Sequence, residues 1–291
     1  MRIGVELDDA SVTAVAVDDR VQSRASVAAK GDLPAAAIAA VRQVMRGVAT
    51  PAPTGIASFV TDTPAASGVA DALAKECGTR PSIVASGTAA AVAEAWIGAA
   101  AGARDVVFFA VSEHTTAGLV REGVPVTGAR GRAASIAWLS LNPVEREDYR
   151  KSGCLEAEVA AAGIVRRLIW RIKSGDRSRV QDTVDGDLAA ITVAHVLDAA
   201  RAHDGVSISV VRDTAKYLGM AAANLVVVAD PGTLVLGGFM ASAADLLLEP
   251  VRVEISRRLP RAMMDALTIV PATLGADAAA IGAARLAATG Q

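Results

Sequence analysis

Residues 228–240 read Val-Ala-Asp-Pro-Gly-Thr-Leu-Val-Leu-Gly-Gly-Phe-Met. The apolar run at 234–236 predicts a short buried strand, which leads directly into the pair Gly237-Gly238. An amphipathic helical pattern follows from about Ala241. Glycines at a strand-to-helix turn let another group approach the backbone closely, and the free N–H groups of the helix start favour an anion. The stretch therefore predicts a strand-to-helix turn of an α/β fold that is open to a ligand.

The same alternation of strands and helices extends to both ends of the chain. β-Branched runs predict one strand hairpin at 3–7 and 12–17, and a second at 106–111 and 117–121. Further strands and helices follow each hairpin, which predicts a duplicated α/β lobe. The polar stretch 173–186 is predicted to be a loop. The remaining predicted strands are 56–60, 82–85, 234–236 and 267–271, and the predicted helices are 34–48, 66–76, 88–100, 154–174, 192–202, 207–228, 241–258 and 277–288.

The composition is that of a globular protein with a core of small apolar residues. Hydrophobic residues make up 52% of the 291 residues and charged residues 21%, which argues against disorder. Aromatic residues are only 3%, so Ala, Val, Leu and Ile must build most of the core. The formal net charge is −2 and the basic residues are dispersed. The sequence therefore favours neither nucleic acid nor an anionic membrane as a partner.

The cysteines and the N-terminus bear on cellular location. Cys77 and Cys154 lie far apart and form no CxxC pair, which is typical of reduced thiols in the cytoplasm. The chain enters a strand pattern at once, without the apolar segment of a signal peptide. Its apolar runs are alanine-rich and interrupted by charges such as Glu94 and Asp230, so none is expected to span a membrane. We expect a cytoplasmic protein.

Five segments of the second half carry a family resemblance. They look like a segment that follows zinc-binding cysteines, a long central helix, the last two strands and a closing helix. The segments are Gly-Cys-Leu-Glu-Ala at 153–157, Thr-Ala-Lys-Tyr-Leu-Gly-Met-Ala-Ala-Ala-Asn-Leu at 214–225, Val-Leu-Gly-Gly at 235–238, Ile-Val-Pro-Ala-Thr-Leu-Gly at 269–275 and Ala-Ile-Gly-Ala-Ala at 280–284. The chain resembles the ROK family (repressors, unassigned reading frames and sugar kinases) of the actin-like, hexokinase-like ATPase superfamily.

This resemblance implies an α/β protein with two actin-like (ribonuclease H-like) lobes around a central cleft. The first lobe is expected to contain 1–104 plus 277–291, and the second 105–276. The resemblance also implies a homodimer or higher assembly built through the second lobe. The sequence starts at Met1 without a winged-helix segment, so it resembles the kinase-length members and not the DNA-binding repressors.

The positions that contact phosphate in the family hold acidic residues here. Family kinases wrap the ATP phosphates with an Asp-x-Gly-Gly-Thr turn, whose glycine pair corresponds to Asp8-Asp9. The second, glycine-rich turn corresponds to 112–118, which includes Glu113 and His114. Two carboxylates about 4 Å apart repel each other by roughly 4 kcal/mol at an effective dielectric constant near 20. These turns are expected to reject a triphosphate unless a metal ion intervenes.

The general base of family kinases is also missing. That base is the Asp of an Asn-Asp-Ala-Asn motif, and it deprotonates the sugar hydroxyl that attacks the γ-phosphate. The resemblance places Gly87 at its position, and glycine cannot accept a proton. The family's sugar-binding Glu and zinc-binding His correspond to Ser135 and Trp138, which leaves Glu156 as a vestigial sugar contact.

The family's zinc motif is reduced to a remnant. It corresponds to 147–154, where Glu147 and Tyr149 replace the first two cysteines and only Cys154 is kept. One sulfur ligand does not suffice for a structural tetrahedral zinc, so no metal is expected. We interpret Cys154 as an inert buried thiol.

Two features allow more than one interpretation. Asp8, Asp9, Glu113 and His114 lie at turns that face each other across the cleft of this fold. They could form a cation site of oxygen ligands plus one imidazole, or they could be ordinary solvated turn residues. The pair Gly237-Gly238 could still admit an adenosine moiety, as a vestigial nucleotide contact, or serve helix–strand packing alone.

Loss of the base, of both phosphate turns and of the sugar contacts is difficult to reconcile with phosphoryl transfer. The sequence predicts a degenerate sugar-kinase homologue, a pseudokinase with no catalytic residue, which binds a small molecule or a protein and needs no cofactor. One alternative is a divergent ATP-dependent sugar or small-molecule kinase, with Mg²⁺ held by Asp8, Asp9 and Glu113. The other is a structural dimer whose cleft holds no ligand.

Overall fold

A computed structural model describes residues 1–46, 54–59 and 61–289. Parts of three predictions lie outside these residues: the end of helix 34–48, the last residue of strand 56–60, and the last two residues of the first lobe. Apart from these parts, the predicted strands are present with shifts of a few residues at their ends, and so are the predicted helices 34–48, 66–76, 88–100, 192–202, 207–228 and 277–288. The predicted helix 241–258 is interrupted at Ala243.

The first sheet has five strands in the order β3-β2-β1-β4-β5. β1 pairs antiparallel with β2 and parallel with β4, and β4 pairs parallel with β5. The strands are β1 (Arg2–Leu7), β2 (Ser11–Val17), β3 (Val21–Ala28), β4 (Thr54–Ser58) and β5 (Ser82–Ala85).

The second sheet has the order β10-β9-β6-β7-β8. β6 and β7 form an antiparallel hairpin, and β9 pairs parallel with β6. The strands are β6 (Val106–Val111), β7 (Thr115–Arg121), β8 (Val124–Pro125), β9 (Thr233–Gly238) and β10 (Thr268–Pro271). Read from the other edge, this order repeats that of the first sheet strand for strand. The predicted duplication of an α/β lobe is confirmed.

The helices cover both sheets. In chain order they are α1 (Leu33–Val44), α2 (Pro64–Cys77), α3 (Ser86–Trp96), α4 (Glu147–Ser152), α5 (Cys154–Val159), α6 (Ala161–Lys173), α7 (Arg179–Thr183), α8 (Val193–Arg201), α9 (Gly205–Ala229), α10 (Phe239–Ser242), α11 (Ala244–Ser256), α12 (Arg261–Ala266) and α13 (Ala278–Thr289). α13 packs on β1, β4 and α3, so the end of the chain returns to the first sheet. The assignment of residues to two lobes stays a prediction, although β1–β5 all precede residue 104 and β6–β10 all follow it.

Two predictions about the middle of the chain are wrong. The predicted helix 154–174 is interrupted at Ala160, whose backbone is extended. The interruption frees the N–H of Ala161 to donate to the carbonyl of Ser112 in the β6–β7 turn, at 3.0 Å. The predicted loop 173–186 contains α7, which begins with a capping box formed by Ser178 and Gln181.

A buried carboxylate joins the end of the second sheet to α3. Glu94 is 0% exposed. It accepts hydrogen bonds from the backbone N–H groups of Thr273 and Leu274, each at 3.0 Å, and from that of Ala99 at 2.7 Å. Because these donors satisfy the buried charge, Glu94 fastens the segment after β10 to the helix that also contacts β6 and β7.

The closing helix, α13, approaches β1 and α3 so closely that side chains are excluded at two positions. A Cβ atom on Gly4 of β1 would lie 1.7 Å from the carbonyl oxygen of Ala280, and one on Gly282 would lie 1.7 Å from that of Ala89. Such distances are far below van der Waals contact. The packing of α13 therefore depends on glycine at these positions.

In the described residues, no helix combines the length and the apolar character needed to traverse a bilayer.

We expect Gly4→Ala to lower the free energy of unfolding by about 3 kcal/mol or more, because the added methyl group forces α13 away from β1. The matched control is Gly68→Ala in α2, where a Cβ atom meets nothing within 4 Å. There the gain in helix propensity should raise stability by about 0.5–1 kcal/mol. Urea unfolding of the two variants measures both values, and equal stabilities would contradict this account of the α13 packing.

Candidate ligand cavity between the lobes

A cavity of 340 Å³ lies between the two sheets. Its walls come from the end of β4, the start of α3, the start of β7 and the segment 131–138, so both halves of the chain contribute. The lining residues are Phe59, Thr61, Asp62, Ala85, Ser86, Gly87, Thr115, Thr116, Ala117, Gly131, Arg132, Ala133, Ala134, Ser135, Ala137 and Trp138. The volume suits a small molecule of one ring.

The charged groups of the cavity wall neutralise each other. Asp62 and Arg132 are the charged residues among those that line it. They form an ion pair between the segment after β4 and the segment before Ser135. The guanidinium of Arg132 lowers the pKa of the Asp62 carboxyl, so this carboxylate is a weak proton acceptor. The remaining polar groups of the wall are hydroxyls and backbone.

One hydroxyl in the wall lacks a partner. Thr115 is 2% exposed, and its Oγ1 has no hydrogen-bond partner in the described part of the chain. A buried hydroxyl without a partner costs about 1–3 kcal/mol. The oxygen itself is enclosed by protein, although Thr115 is one of the residues that line the cavity.

The position predicted to lack the general base is closed by main-chain packing. A Cβ atom on Gly87 would lie 2.1 Å from the carbonyl oxygen of Ala117 in β7. Reciprocally, a Cβ atom on Gly118 would lie 2.1 Å from the carbonyl oxygen of Gly87. The start of α3 therefore touches β7 backbone to backbone, and position 87 has no room even for a methyl group.

The predicted cleft residues are brought together in part. His114 Nε2 and Asp9 Oδ2 lie 2.9 Å apart, which joins the β1–β2 turn to the β6–β7 turn. The carboxylate of Asp8 instead accepts from the backbone N–H of Asp9 at 2.8 Å. Glu113 is exposed. In the described residues, no set of three or more His, Cys, Asp and Glu side chains is arranged to hold a metal ion.

Glu156 completes the contacts of the imidazole. Its carboxylate accepts from the backbone N–H of Thr115 at 2.9 Å, and its second oxygen lies 3.4 Å from His114 Nδ1. Phe59 stacks on the imidazole with 4.3 Å between ring centroids and 20° between planes. We call Asp9, Phe59, His114 and Glu156 the inter-lobe cluster. Glu156 does not line the cavity, so its role as a sugar contact stays a prediction.

The inter-lobe cluster holds a charged histidine at neutral pH. The hydrogen bond to Glu156 and, next, the hydrogen bond to Asp9 raise the pKa of His114 to about 9, against the opposing effect of burial. The imidazolium donates from both ring nitrogens, which matches its two carboxylate neighbours.

The glycine pair of the strand-to-helix turn has a packing role. A Cβ atom on Gly237 would lie 2.9 Å from atoms of Ala110 and Phe108, and one on Gly238 would lie 2.0 Å from the carbonyl oxygen of Val111. Gly238 also has φ = 60°, which disfavours other residues. Close packing of β9 on β6 accounts for both glycines, and a nucleotide contact at this turn stays a prediction.

The remnant of the zinc motif does not fit a zinc ion. Glu147 is 83% exposed, and the hydroxyl of Tyr149 donates to Glu158. Trp138 has no atom that binds zinc and is 59% exposed at the cavity. Cys154 is buried at 7% exposure and is the one thiol in this segment. A structural zinc needs four ligands around one point, which these residues do not supply.

The same segment contains an ion-pair network centred on Glu158. Glu158 is 5% exposed and accepts from Arg146 at 3.1 Å, from Arg167 at 2.8 Å and from the hydroxyl of Tyr149. Arg167 also donates to Thr214 in α9 at 2.9 Å. The network thereby ties α4, α5, α6 and α9 together without a metal. Removing one member of a buried ion pair leaves its partner charged and unpaired.

We expect Glu158→Gln to lower the free energy of unfolding by about 2–4 kcal/mol, because Arg167, which is 16% exposed, loses its counter-charge. Glu147→Gln, in the exposed position of the same segment, should change stability by less than about 0.5 kcal/mol. Chemical denaturation compares the two variants.

Elemental analysis of the purified protein should find no stoichiometric zinc, and EDTA should leave the midpoint of unfolding unchanged. A lower midpoint in EDTA would contradict the metal-free account.

Sequence reasoning did not identify several of these residues. Phe59 lies in the predicted strand 56–60, where nothing marks it as a site residue, and a contact between Asp62 and Arg132 leaves no local signal. Glu6 of β1 was also missed. Burial, with the nearby charges of Asp8 and Asp277 adding to it, raises the pKa of the Glu6 carboxyl to about 8.

The fold and cavity define an α/β protein of two similar lobes around a ligand-sized cleft. Comparison with known proteins agrees: the sequence model of the ROK family matches residues 34–289. The chain belongs to the ROK family. A glucokinase from Halalkalibacterium halodurans is 33% identical over 196 residues, which cover 66% of this chain and 59% of that protein. The match thus spans less than two thirds of that relative's length.

Two further comparisons indicate the range of the family. The N-acetylglucosamine repressor of Escherichia coli is 28% identical over 194 residues, or 66% of this chain and 46% of the repressor. The crystal structure of a ROK family glucokinase from Streptomyces griseus, in complex with glucose and AMPPNP, superposes with a TM-score of 0.82. It is 25% identical, and the match covers 99% of both chains. The actin-like two-lobe fold expected from the sequence is confirmed.

Proposed function

We propose that this protein is a non-catalytic ROK family member that binds a small, uncharged polyhydroxylated molecule in the cavity between its lobes. The observation that carries the proposal is the contact of Gly87 with Ala117, which leaves no room for a side chain at the base position. The relatives named above are glucokinases and an N-acetylglucosamine repressor, so a sugar or sugar-like molecule is the ligand class to test first.

The absence of a suitable base in the cavity wall supports this proposal. Transfer of a phosphoryl group to a hydroxyl uses a base that orients the hydroxyl and accepts its proton. Among the lining residues, Asp62 is the one carboxylate. Its ion pair with Arg132 stabilises the charged form and weakens it as a base.

The state of the two hairpin turns also supports the proposal. The resemblance assigns these turns to the phosphates of ATP, yet here Asp9 and His114 bond to each other across the gap. A triphosphate would have to break this bond and then face the carboxylates of Asp8 and Asp9. Repulsion between like charges disfavours that complex.

A divergent ATP-dependent sugar kinase is the second candidate. It is favoured by the similarity to glucokinases and by the superposition with a glucokinase bound to glucose and AMPPNP. In this candidate ATP and Mg²⁺ are the co-substrates, and Asp8, Asp9 and Glu113 hold the metal. A structural protein with an empty cleft is the third candidate, and the same experiment separates all three.

The test combines thermal unfolding with a coupled assay for ADP. We expect glucose, N-acetylglucosamine or another neutral sugar of a panel to raise Tm by roughly 5–10 °C at about 100 times its Kd. ATP with Mg²⁺ should cause no such rise, and no sugar should support ADP formation. Turnover with any sugar would establish the kinase candidate. No rise in Tm with any ligand would leave the structural candidate.

Thr115→Val sharpens this test, because valine has nearly the shape of threonine without its hydroxyl. The free protein should become more stable by about 1 kcal/mol, since an unpartnered buried hydroxyl is removed. The rise in Tm caused by the sugar should shrink at the same time, because the proposed contact has the Thr115 side chain turn its hydroxyl into the cavity when the sugar binds. Thr13→Val on β2, away from the cavity, is the control and should leave the sugar response intact. A full response in Thr115→Val would remove this residue from the binding site.

We also propose a homodimer that forms through the second lobe. The family resemblance supports this, and so does the exposure of Trp170 (64%) and Val228 (84%) in that half of the chain. Light scattering coupled to gel filtration should give about twice the chain mass of 29.5 kDa. Trp170→Glu should shift the protein toward the monomer, whereas a wild-type protein that elutes with the mass of one chain would overturn the proposal.

A further inference from the structure

The inter-lobe cluster makes two separate contacts between the halves of the chain. Asp9 belongs to the β1–β2 turn and Phe59 follows β4, both in the first half of the chain. His114 belongs to the β6–β7 turn and Glu156 to α5, both in the second half. The imidazole therefore bonds to Asp9 and stacks on Phe59, while Glu156 holds it from its own side.

The inter-lobe cluster is continuous with the wall of the cavity. Phe59 both stacks on His114 and lines the cavity. Glu156 accepts from the backbone N–H of Thr115, a residue that lines the cavity. Separation of His114 from Asp9 and Phe59 would therefore displace two parts of the wall. Opening of the cavity and separation of the inter-lobe cluster are therefore expected to occur together.

We propose that the inter-lobe cluster is a latch that holds the two lobes closed over the cavity and so regulates access to it. The latch is closed when His114 donates to Asp9 and Glu156 together, and it opens when either the imidazolium or the Asp9 carboxylate is lost. Regulation of access rests on the proposed function, because it presumes a ligand. Closure itself does not, and it is measured without one.

The charges around His114 give the latch a pH dependence of known sign. The charged groups that contact the imidazole are Asp9 on the β1–β2 turn and Glu156 on α5, and the Phe59 ring brings no charge. These neighbours raise the pKa of His114 from 6.5 to about 9. A group whose pKa is higher in the folded state contributes its full stabilisation below pH 6.5. That contribution is lost as the pH rises through about 9, so the latch is closed at neutral pH and opens in alkaline solution.

A second ion pair also crosses the cleft. Asp62 and Arg132 join the two sides of the cavity, and their side chains are 54% and 60% exposed. Ion pairs with this exposure contribute about 0–1 kcal/mol and are screened by salt. Asp9 is 83% exposed as well, so what distinguishes the latch is His114, which is 31% exposed and also stacks on Phe59, a second contact across the cleft that salt does not screen.

Distances between spin labels measure closure directly. One label is placed at Lys75→Cys on α2 and the other at Arg177→Cys before α7, since both side chains are exposed. The native Cys77 and Cys154 are each 7% exposed and should not be labelled in the folded protein. Pulsed electron–electron double resonance then gives the distance distribution at pH 7 and at pH 9.8, in the full chain and without ligand.

The latch variants are Asp9→Ala and His114→Gln, and the matched control is Glu113→Gln on the same exposed turn as His114. We expect one narrow distribution for wild type and Glu113→Gln at pH 7, and a broader one at pH 9.8. Asp9→Ala and His114→Gln should be broad at both values of pH. Because Asp9 is 83% exposed, its removal leaves the core intact and keeps the test valid if His114→Gln fails to fold.

Titration of the imidazole by NMR provides an independent measurement. The chain has three histidines, so the ring signals of His114 are assigned by their absence in His114→Gln. Its midpoint should lie near pH 9 in wild type and move down in Asp9→Ala, where the hydrogen bond to Glu156 still holds it above 6.5, with Glu113→Gln unchanged. Narrow, wild-type distances in both latch variants would overturn the proposal. If His114→Gln gives a narrow distance distribution at pH 7 and a broad one at pH 9.8, another group causes the pH effect. This result would also overturn the proposal.

The latch and the proposed function fail in distinguishable ways. A latch that opens as described, in a protein with no sugar-dependent rise in Tm, refutes the ligand and keeps the conformational device. A sugar-dependent rise in Tm with wild-type distances in both latch variants keeps the ligand and refutes the latch.

Discussion

The first turn of α3 and the strand β7 meet without any side chain between them. Gly87 and Gly118 allow this contact, and a methyl group at either position would overlap a carbonyl oxygen of the other element. The contact sets how closely the two halves of the chain approach, and it turns main chain toward the cavity. A carboxylate at position 87 would require the lobes to separate. The same contact sets the geometry at the start of α3 and excludes a side chain at position 87.

The charged side chains of the cleft are paired with one another. Asp62 is joined to Arg132, and Asp9 and Glu156 share His114. Each pairing spans the gap between the two halves of the chain or anchors a group that does. In this structure these carboxylates are bound to side chains of the protein itself. What remains in the cavity wall is hydroxyls, main chain and aromatic surface, which suit a neutral ligand better than a charged one.

Local sequence patterns determined most of the fold. The run at 234–236 is completely buried in β9, and the two hairpins lie where the β-branched residues predicted them. β3 was missed because it is an edge strand with mostly exposed polar residues, whose pattern resembles a loop. The break at Ala160 was missed for a different reason. It is caused by a hydrogen bond to Ser112, a residue far away in the sequence.

The sequence by itself determined the duplicated α/β architecture and the family resemblance, because these depend on residue type and local periodicity. It also placed Asp9 and His114 at turns that face the cleft. Only the tertiary structure decided that these two side chains bond to each other, that Glu156 and Phe59 join them, and that Gly87 lies against Ala117. Such contacts join positions up to about a hundred residues apart, so their geometry depends on how the two sheets and their helices pack.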